Sequence, residues 1–341
     1  MTLRYGLIGF GLFGRLHARC LEDTPGAALV AIAAQGDESV QAARAAHPAA
    51  TVYRDYRDLL ADPAVDVVDV VTPNRTHAAM AIDALEAGQH VLLEKPMATS
   101  REDCDRIIEA QRRSGKMLSV GFELRLSVQW SRIKQLIEEG AIGRPRYVNV
   151  DLFRHPYRQG SGGWRYDPER VGSWILEEPV HYYDLAMWYM AGLGPPLAVS
   201  ARGTAAGARA MYDNFSSVLT FEGGAYATIT QSLAGFGHHL VVEITGESGA
   251  IRSTWSGADA RSTAPAFDLT IRRAGRQSHE IVPLDRSSGE IFELQEEIRL
   301  VTEAFAAGRT LVSPEEGRKA VIVCLEAERA VLEGSQVALR F

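Results

Sequence analysis

The first third of the chain alternates short apolar runs with amphipathic stretches. Residues 5–10, 29–34, 65–72 and 90–93 are apolar and short enough to predict buried strands. Between them, residues 12–22, 39–46, 76–87 and 102–114 carry apolar positions at helical spacing and stop near Pro25, Pro48, Gly88 and Gly115. The run Val65-Asp66-Val67-Val68-Asp69-Val70-Val71 does not alternate cleanly, but its β-branched content and the preceding Pro63 favour strand. Strand and helix in alternation predict a parallel sheet wrapped on both faces.

After about residue 120 the pattern changes. A helix over 129–139, closed by Gly140, leads to a strand at 147–153 and a Gly- and Trp-rich loop at 158–172. A helix over 179–191 and strands at 217–221, 225–232 and 240–245 follow, and the stretch 253–267 reads as a mobile loop. Helices over 291–307 and 314–333 close the chain, the second opening on Ser313-Pro314-Glu315-Glu316 with cap, proline and acids in order. The expectation is an α/β protein of two domains. Residues 1–120 form a dinucleotide-binding Rossmann domain, and residues 121–341 an α+β domain with a large, mostly antiparallel sheet. One open apolar face of that sheet would suit a homo-oligomer, a dimer or tetramer.

At 341 residues the chain exceeds one ordinary core, which agrees with two domains. The formal charge of −7, with no run of basic residues, argues against nucleic-acid or membrane partners. No apolar run is long enough for a membrane span and no signal peptide precedes residue 5, so a cytoplasmic location is expected. Cys20, Cys104 and Cys324 form neither a CxxC pair nor a zinc spacing and read as ordinary thiols.

Gly9-Phe10-Gly11-Leu12-Phe13-Gly14 is a GxGxxG that directly follows the first strand and opens the first helix. In that setting the first glycine makes the turn, the second admits a pyrophosphate, and the third lets helix pack on strand. The carboxylate expected near the end of the second strand, to hold a ribose 2′-hydroxyl, is replaced by Ala34. The following Gln35-Gly36-Asp37-Glu38 supplies no cation for a 2′-phosphate, and either Gln35 or Asp37 can reach the ribose instead. The reading leans to NAD, with NADP open.

Val71-Thr72-Pro73-Asn74-Arg75-Thr76-His77 and Ala84-Leu85-Glu86-Ala87-Gly88-Gln89-His90-Val91-Leu92-Leu93-Glu94-Lys95-Pro96 resemble the glucose–fructose oxidoreductase and inositol dehydrogenase family, Gfo/Idh/MocA. Val120-Gly121-Phe122 and Gly163-Trp164-Arg165 are similar to it as well. The resemblance implies that Thr72, Pro73, Asn74, His77 and Glu94 flank the cofactor and that Lys95 contacts both cofactor and substrate. A lysine beside a positively charged nicotinamide, with Pro96 aiming it, suits proton exchange with a hydroxyl.

In Trp174-Ile175-Leu176-Glu177-Glu178-Pro179-Val180-His181, Pro179 predicts a first helical turn with His181 just inside, where the helix dipole disfavours an imidazolium. The family's pattern is an Asp four residues before a His; here Glu177 stands in the Asp place. Glu177 and Glu178 could equally cap the helix. A metal site on Glu177 and His181 is not expected, because no third ligand has a recognisable spacing. His238 and His239, adjacent in a strand, point to opposite faces, and His17, His47 and His279 read as surface or helix residues. Arg125, Arg154, His155, Tyr157, Trp164 and Arg165 could grip a sugar or pack and face solvent.

The resulting expectation is an NAD(P)-dependent oxidoreductase that interconverts a hydroxyl and a ketone on a sugar, cyclitol or sugar derivative bound between the domains. Lys95, His181 and Glu177 would be its catalytic groups. A redox-neutral sugar enzyme that recycles bound NAD, and a non-catalytic nucleotide sensor, remain the alternatives.

Overall fold

The computed structural model describes residues 2–155, 161–205, 212–235 and 237–341. The chain folds as two compact units: residues 1–122, 159–172 and 294–321 make the first, and 123–158, 173–293 and 322–341 the second.

The first unit is built on a parallel sheet of β1 (Leu3–Ile8), β2 (Ala27–Ala33), β3 (Thr51–Tyr53), β4 (Val67–Val70), β5 (His90–Glu94) and β6 (Leu118–Gly121), in the order β3-β2-β1-β4-β5-β6. The expected Rossmann architecture is present. Strands β4 to β6 are buried almost throughout, because helices cover both faces of a parallel sheet, and for that reason their sequences run apolar rather than alternate. Expected strand 65–72 shortens to four residues, and β3 and β6 were not read from the pattern. Helices Leu12–Glu22 and Arg101–Ser114 match their predicted spans closely; the second is capped by Ser100 and ended by Gly115 at φ 65°.

The helix Glu290–Ala306 contributes Leu294, Ile298, Val301 and Phe305 to a core with Leu3, Tyr5, Leu21, Val67 and Leu92. Tyr5 shares a 2.8 Å hydrogen bond with Thr302 in the same core.

The second unit carries a nine-stranded, mostly antiparallel sheet. Its strands are β7 (Pro145–Phe153), β8 (Ala198–Thr204), β9 (Asn214–Thr220), β10 (Tyr226–Ser232), β11 (His238–Gly246), β12 (Ala250–Gly257), β13 (Ala266–Arg272), β14 (Glu280–Ile281) and β15 (Val337–Ala338). The order is β14-β13-β12-β11-β7-β10-β9-β8-β15, and β7 with β10 is its parallel pair. Burial alternates along β9, with Phe215, Ser217 and Leu219 inward, and Tyr183 of helix Pro179–Tyr189 donates to Ser217 at 2.7 Å. Val218 and Tyr226 are exposed on the opposite face.

The loop expected at 253–267 is a correction. Strand β12 runs through Gly257 and β13 starts at Ala266. Ser253 and Trp255 face inward, and the Trp255 indole donates to the Ser288 carbonyl at 2.9 Å, so a Ser- and Thr-rich sequence still builds a buried strand face. Helix Pro314–Glu333 opens with a reciprocal capping box: the Ser313 amide donates to the Glu316 carboxylate and the Glu316 amide to Ser313 Oγ. No helix among the described residues is long and apolar enough to cross a membrane.

Candidate active site

In the first unit the C-terminal edge of the sheet gathers three turns. Residues 9–14 follow β1, and the strand order reverses between β1 and β4, where open α/β sheets place their ligands. Gly9 has φ +105°, and a Cβ there would sit 2.1 Å from the Val71 carbonyl oxygen. A Cβ on Gly14 would lie 2.0 Å from the Gly9 carbonyl oxygen, so both glycines are required by close backbone approach.

Helix Leu12–Glu22 begins at Gly11 with no side-chain cap and no acid in its first turn. Its N-terminal amides and dipole therefore suit a pyrophosphate, and this chain's residues fit a dinucleotide. Phe10 is buried, Leu12 is exposed, and Phe13 packs edge-on against His17.

At the end of β2, Ala34 is buried with its amide on the Tyr53 carbonyl at 3.0 Å, and Gln35 is exposed. Asp37 begins the next helix and pairs with Arg54, just past β3, at 2.5 Å. Arg54 is a cation near the second strand's end that the sequence reading missed, because it comes from the following strand.

After β4, Thr72 and Pro73 are half-buried and Asn74 is buried, its side-chain amide donating to the Val171 carbonyl at 3.1 Å. His77 is buried with Nδ1 2.7 Å from the Pro96 carbonyl and Nε2 2.8 Å from the Thr72 carbonyl. It thus pins the turn after β4 to the turn after β5.

Lys95 is half-buried at the end of β5, its amide donating to the Glu94 carboxylate at 3.2 Å, and the Lys95–Pro96 bond is cis. Glu94 is buried and lies 3.3 Å from His17 Nε2, while His17 Nδ1 is 2.8 Å from Asp69. His17 lies on a helix as expected but is wholly buried, and His47 is buried too, 2.7 Å from Glu22. Trp164 and Arg165 are half-buried in the turn Ser161–Tyr166, the Arg165 guanidinium 5.0 Å over the Trp164 ring.

In the second unit, Glu177 ends the short helix Trp174–Glu177 and is buried. Glu178 breaks to φ −130°, ψ −47°, and Pro179 opens the helix that carries His181. Glu178 makes no side-chain cap; it accepts from Arg154 and from the buried Gln231 instead. His181 is buried with Nδ1 3.6 Å from Glu123 Oε2, beyond a hydrogen bond but within ion-pair reach. Arg125 is buried and forks onto Asp184 with two 2.6 Å bonds, so its guanidinium already has a structural partner. His155 is exposed, and Tyr157 lies outside the described residues. His238 and His239 do face opposite ways, towards Trp255 and Phe153, and burial pushes His238 down to about 4.

Residues 3–122 match the model of the Gfo/Idh/MocA oxidoreductase family, NAD-binding Rossmann fold, and residues 130–252 match that family's C-terminal domain. Inositol 2-dehydrogenase 2 of Saccharopolyspora erythraea is 30% identical over 307 residues, which cover 85% of this chain and 87% of that one. The chain belongs to the Gfo/Idh/MocA family. A second Gfo/Idh/MocA relative, myo-inositol 2-dehydrogenase of Thermotoga maritima, is 27% identical across 99% of this chain and 98% of its own. Levoglucosan dehydrogenase in complex with NADH and levoglucosan shares the Gfo/Idh/MocA fold, with TM-score 0.88 over the whole of both chains at 22% identity. As a member of the Gfo/Idh/MocA family, this chain is an NAD(P)-dependent dehydrogenase or reductase acting on CH–OH groups.

Four groups in these surroundings escaped the sequence reading: His17, Arg54, Glu123 and Gln231. Each gains its meaning from a partner distant in sequence; only the i, i+3 relation of His17 to Gly14, in the helix that opens on the glycine turn, carried any local signal.

Proposed function

We propose that the protein oxidises a secondary hydroxyl of a sugar, cyclitol or related polyol to the ketone, and runs the reverse reduction, with NAD preferred. The observation that carries this reading is Lys95 at the C-terminal end of β5, on the sheet edge that also holds the glycine turn and the turn of Thr72, Pro73 and Asn74. The naming of two relatives for inositol oxidation favours a cyclitol or sugar.

When bound, the nicotinamide supplies a hydride acceptor. Lys95 Nζ takes the hydroxyl proton in oxidation and returns it in reduction. In the second unit, His181 is the group to hold a substrate hydroxyl by hydrogen bond, and Glu123 steadies the imidazole. Glu177 accepts from a neighbouring hydroxyl, and Arg154, Trp164 and Arg165 grip the rest of the ring. We assign Arg125 to packing, since removing either partner of its buried pair with Asp184 would strand a charge. Asp37 engages Arg54, the cation near the end of β2, which favours NAD.

The test is nicotinamide reduction, followed by absorbance, with a panel of cyclitols, sugars and sugar acids under NAD and NADP. Lys95→Ala is expected to lower turnover by roughly 10²–10⁴-fold, with the NAD Kd held within about tenfold. Wild-type rates in that variant would remove Lys95 from the chemistry. Nucleotide binding with no net reduction on any substrate would favour the redox-neutral reaction type.

A further inference from the structure

Three ionisable side chains lie beneath Lys95, and of them only Glu94 is among the residues expected to flank the cofactor. Asp69 projects from the middle of β4, His17 from the first helix and Glu94 from the end of β5, and all are buried. Asp69 Oδ2 and His17 Nδ1 are 2.8 Å apart, His17 Nε2 and Glu94 Oε1 are 3.3 Å apart, and the other oxygen of Glu94 accepts from the Lys95 amide at 3.2 Å. The line therefore runs from the interior of the sheet to the backbone of Lys95.

Room for it is built in. Gly121 is the register partner of Glu94 on β6, and a Cβ there would sit 3.0 Å from Glu94 Oε1. Burying two carboxylates with no cation would be costly, so a proton must sit on one of the three groups. Burial alone would push the His17 imidazole down, but Asp69 and Glu94 outweigh it and hold it well above its ordinary value. Burial pushes the Asp69 carboxyl up, opposed by His17. The other titratable neighbours of Asp69 stay neutral: burial raises the Tyr5 hydroxyl, and raises the Cys20 thiol to about 12.

We propose that His17 and Asp69 are positioning residues for Lys95, acting through Glu94. This rests on the reading of Lys95 as the proton-transfer group. A doubly protonated His17 ring fixed by Asp69 holds the Glu94 side chain in one place. The carboxylate in turn holds the Lys95 amide, and with it the backbone from which the lysine side chain leaves the strand. Neither His17 nor Asp69 meets substrate. Their work is to limit how far Nζ can wander from the hydroxyl, and misplacement of a reacting group by about 1 Å can cost on the order of 100-fold in rate.

The test compares Asp69→Asn and Glu94→Gln, both close to isosteric, with Lys95→Ala in the holoenzyme, on whichever panel substrate the wild type turns over. Each variant is expected to lose at least about tenfold in kcat, and in Asp69→Asn the NAD Kd and the substrate KM stay within about threefold of wild type. Wild-type kcat in both, beside an inactive Lys95→Ala, would overturn the positioning role alone. Loss of NAD affinity in step with kcat in Asp69→Asn would also overturn it, since the cluster would then only shape the nucleotide site. Wild-type rates in Lys95→Ala would take down both readings. A measurement that needs neither a substrate nor a folded variant is the 15N spectrum of histidine-labelled wild-type protein at pH 7.5. The expected result is one imidazole with both nitrogens protonated, assigned to His17; a neutral His17 ring would overturn the proposal.

Discussion

Oε2 of Glu123 lies 3.6 Å from Nδ1 of His181, with both side chains more than nine-tenths buried. The two come from different elements, a short turn after β6 and the first turn of helix Pro179–Tyr189. A carboxylate facing one ring nitrogen sets the orientation of the other, in the manner of the acid in a serine-hydrolase triad. Glu123→Gln is therefore expected to lower kcat by roughly tenfold or more while leaving the NAD Kd, measured by calorimetric titration, unchanged. Wild-type turnover in this variant would mean that the His181 ring is held by other contacts.

The Asp37–Arg54 pair governs the expected cofactor choice. Both side chains are well exposed, so the pair contributes little to stability and its loss leaves the fold intact. Asp37→Ala frees the guanidinium to meet a 2′-phosphate. The ratio of kcat/KM for NADP to that for NAD is expected to rise by about tenfold, a change of about 1.4 kcal/mol. An unchanged ratio would take Asp37 out of cofactor discrimination.

Glu293 gives the fold a pH signature. Burial pushes its carboxyl up from 4.5 to about 7, against hydrogen bonds from Ser127, Ser288 and the Gly289 amide that favour the carboxylate. Between those two values the folded protein binds more protons here than the unfolded chain, so this group's contribution to stability falls as pH rises and is fully lost above about 7. Glu293→Gln keeps an oxygen for Ser288 and Gly289 and removes the penalty. Urea unfolding should find the variant stabilised by up to roughly 3 kcal/mol at pH 8 and little changed at pH 4.5. Equal differences at the two pH values would sink this account.

Much of the first unit was legible because its signals are local. Gly9, Gly11 and Gly14 follow the first strand at a recognisable spacing, Gly14 answers to the Gly9 carbonyl five residues away, and the strand and helix periods around them are strong. The TPN and EKP stretches were legible as sequence, but their joining by His77 was not, since nothing in the pattern says that one ring spans two carbonyls. His17 looked like an ordinary helix position because its partner Asp69 is 52 residues away. Asp69 itself looked like an irregularity in a strand. The same blindness to distant partners hid Glu123, whereas Ser253 and Trp255 were misread for another reason: small polar residues can pave an inward strand face when buried partners take their hydrogen bonds, here the Asp268 carbonyl and Gln129 for Ser253. Arg125 was read as a candidate for substrate because a lone arginine near a loop carries no mark of the aspartate that occupies it.

The core beneath β1 and β4 is closed by Leu294, Ile298, Val301 and Phe305, which lie near the far end of the chain. A ribosome making this protein thus releases the glycine turn, β1 and every other strand of the parallel sheet long before the helix that covers Leu3, Tyr5 and Leu92 exists. The nucleotide-binding unit cannot reach its final form during synthesis of its own first 122 residues, and an expression fragment stopping there would present that apolar surface to solvent.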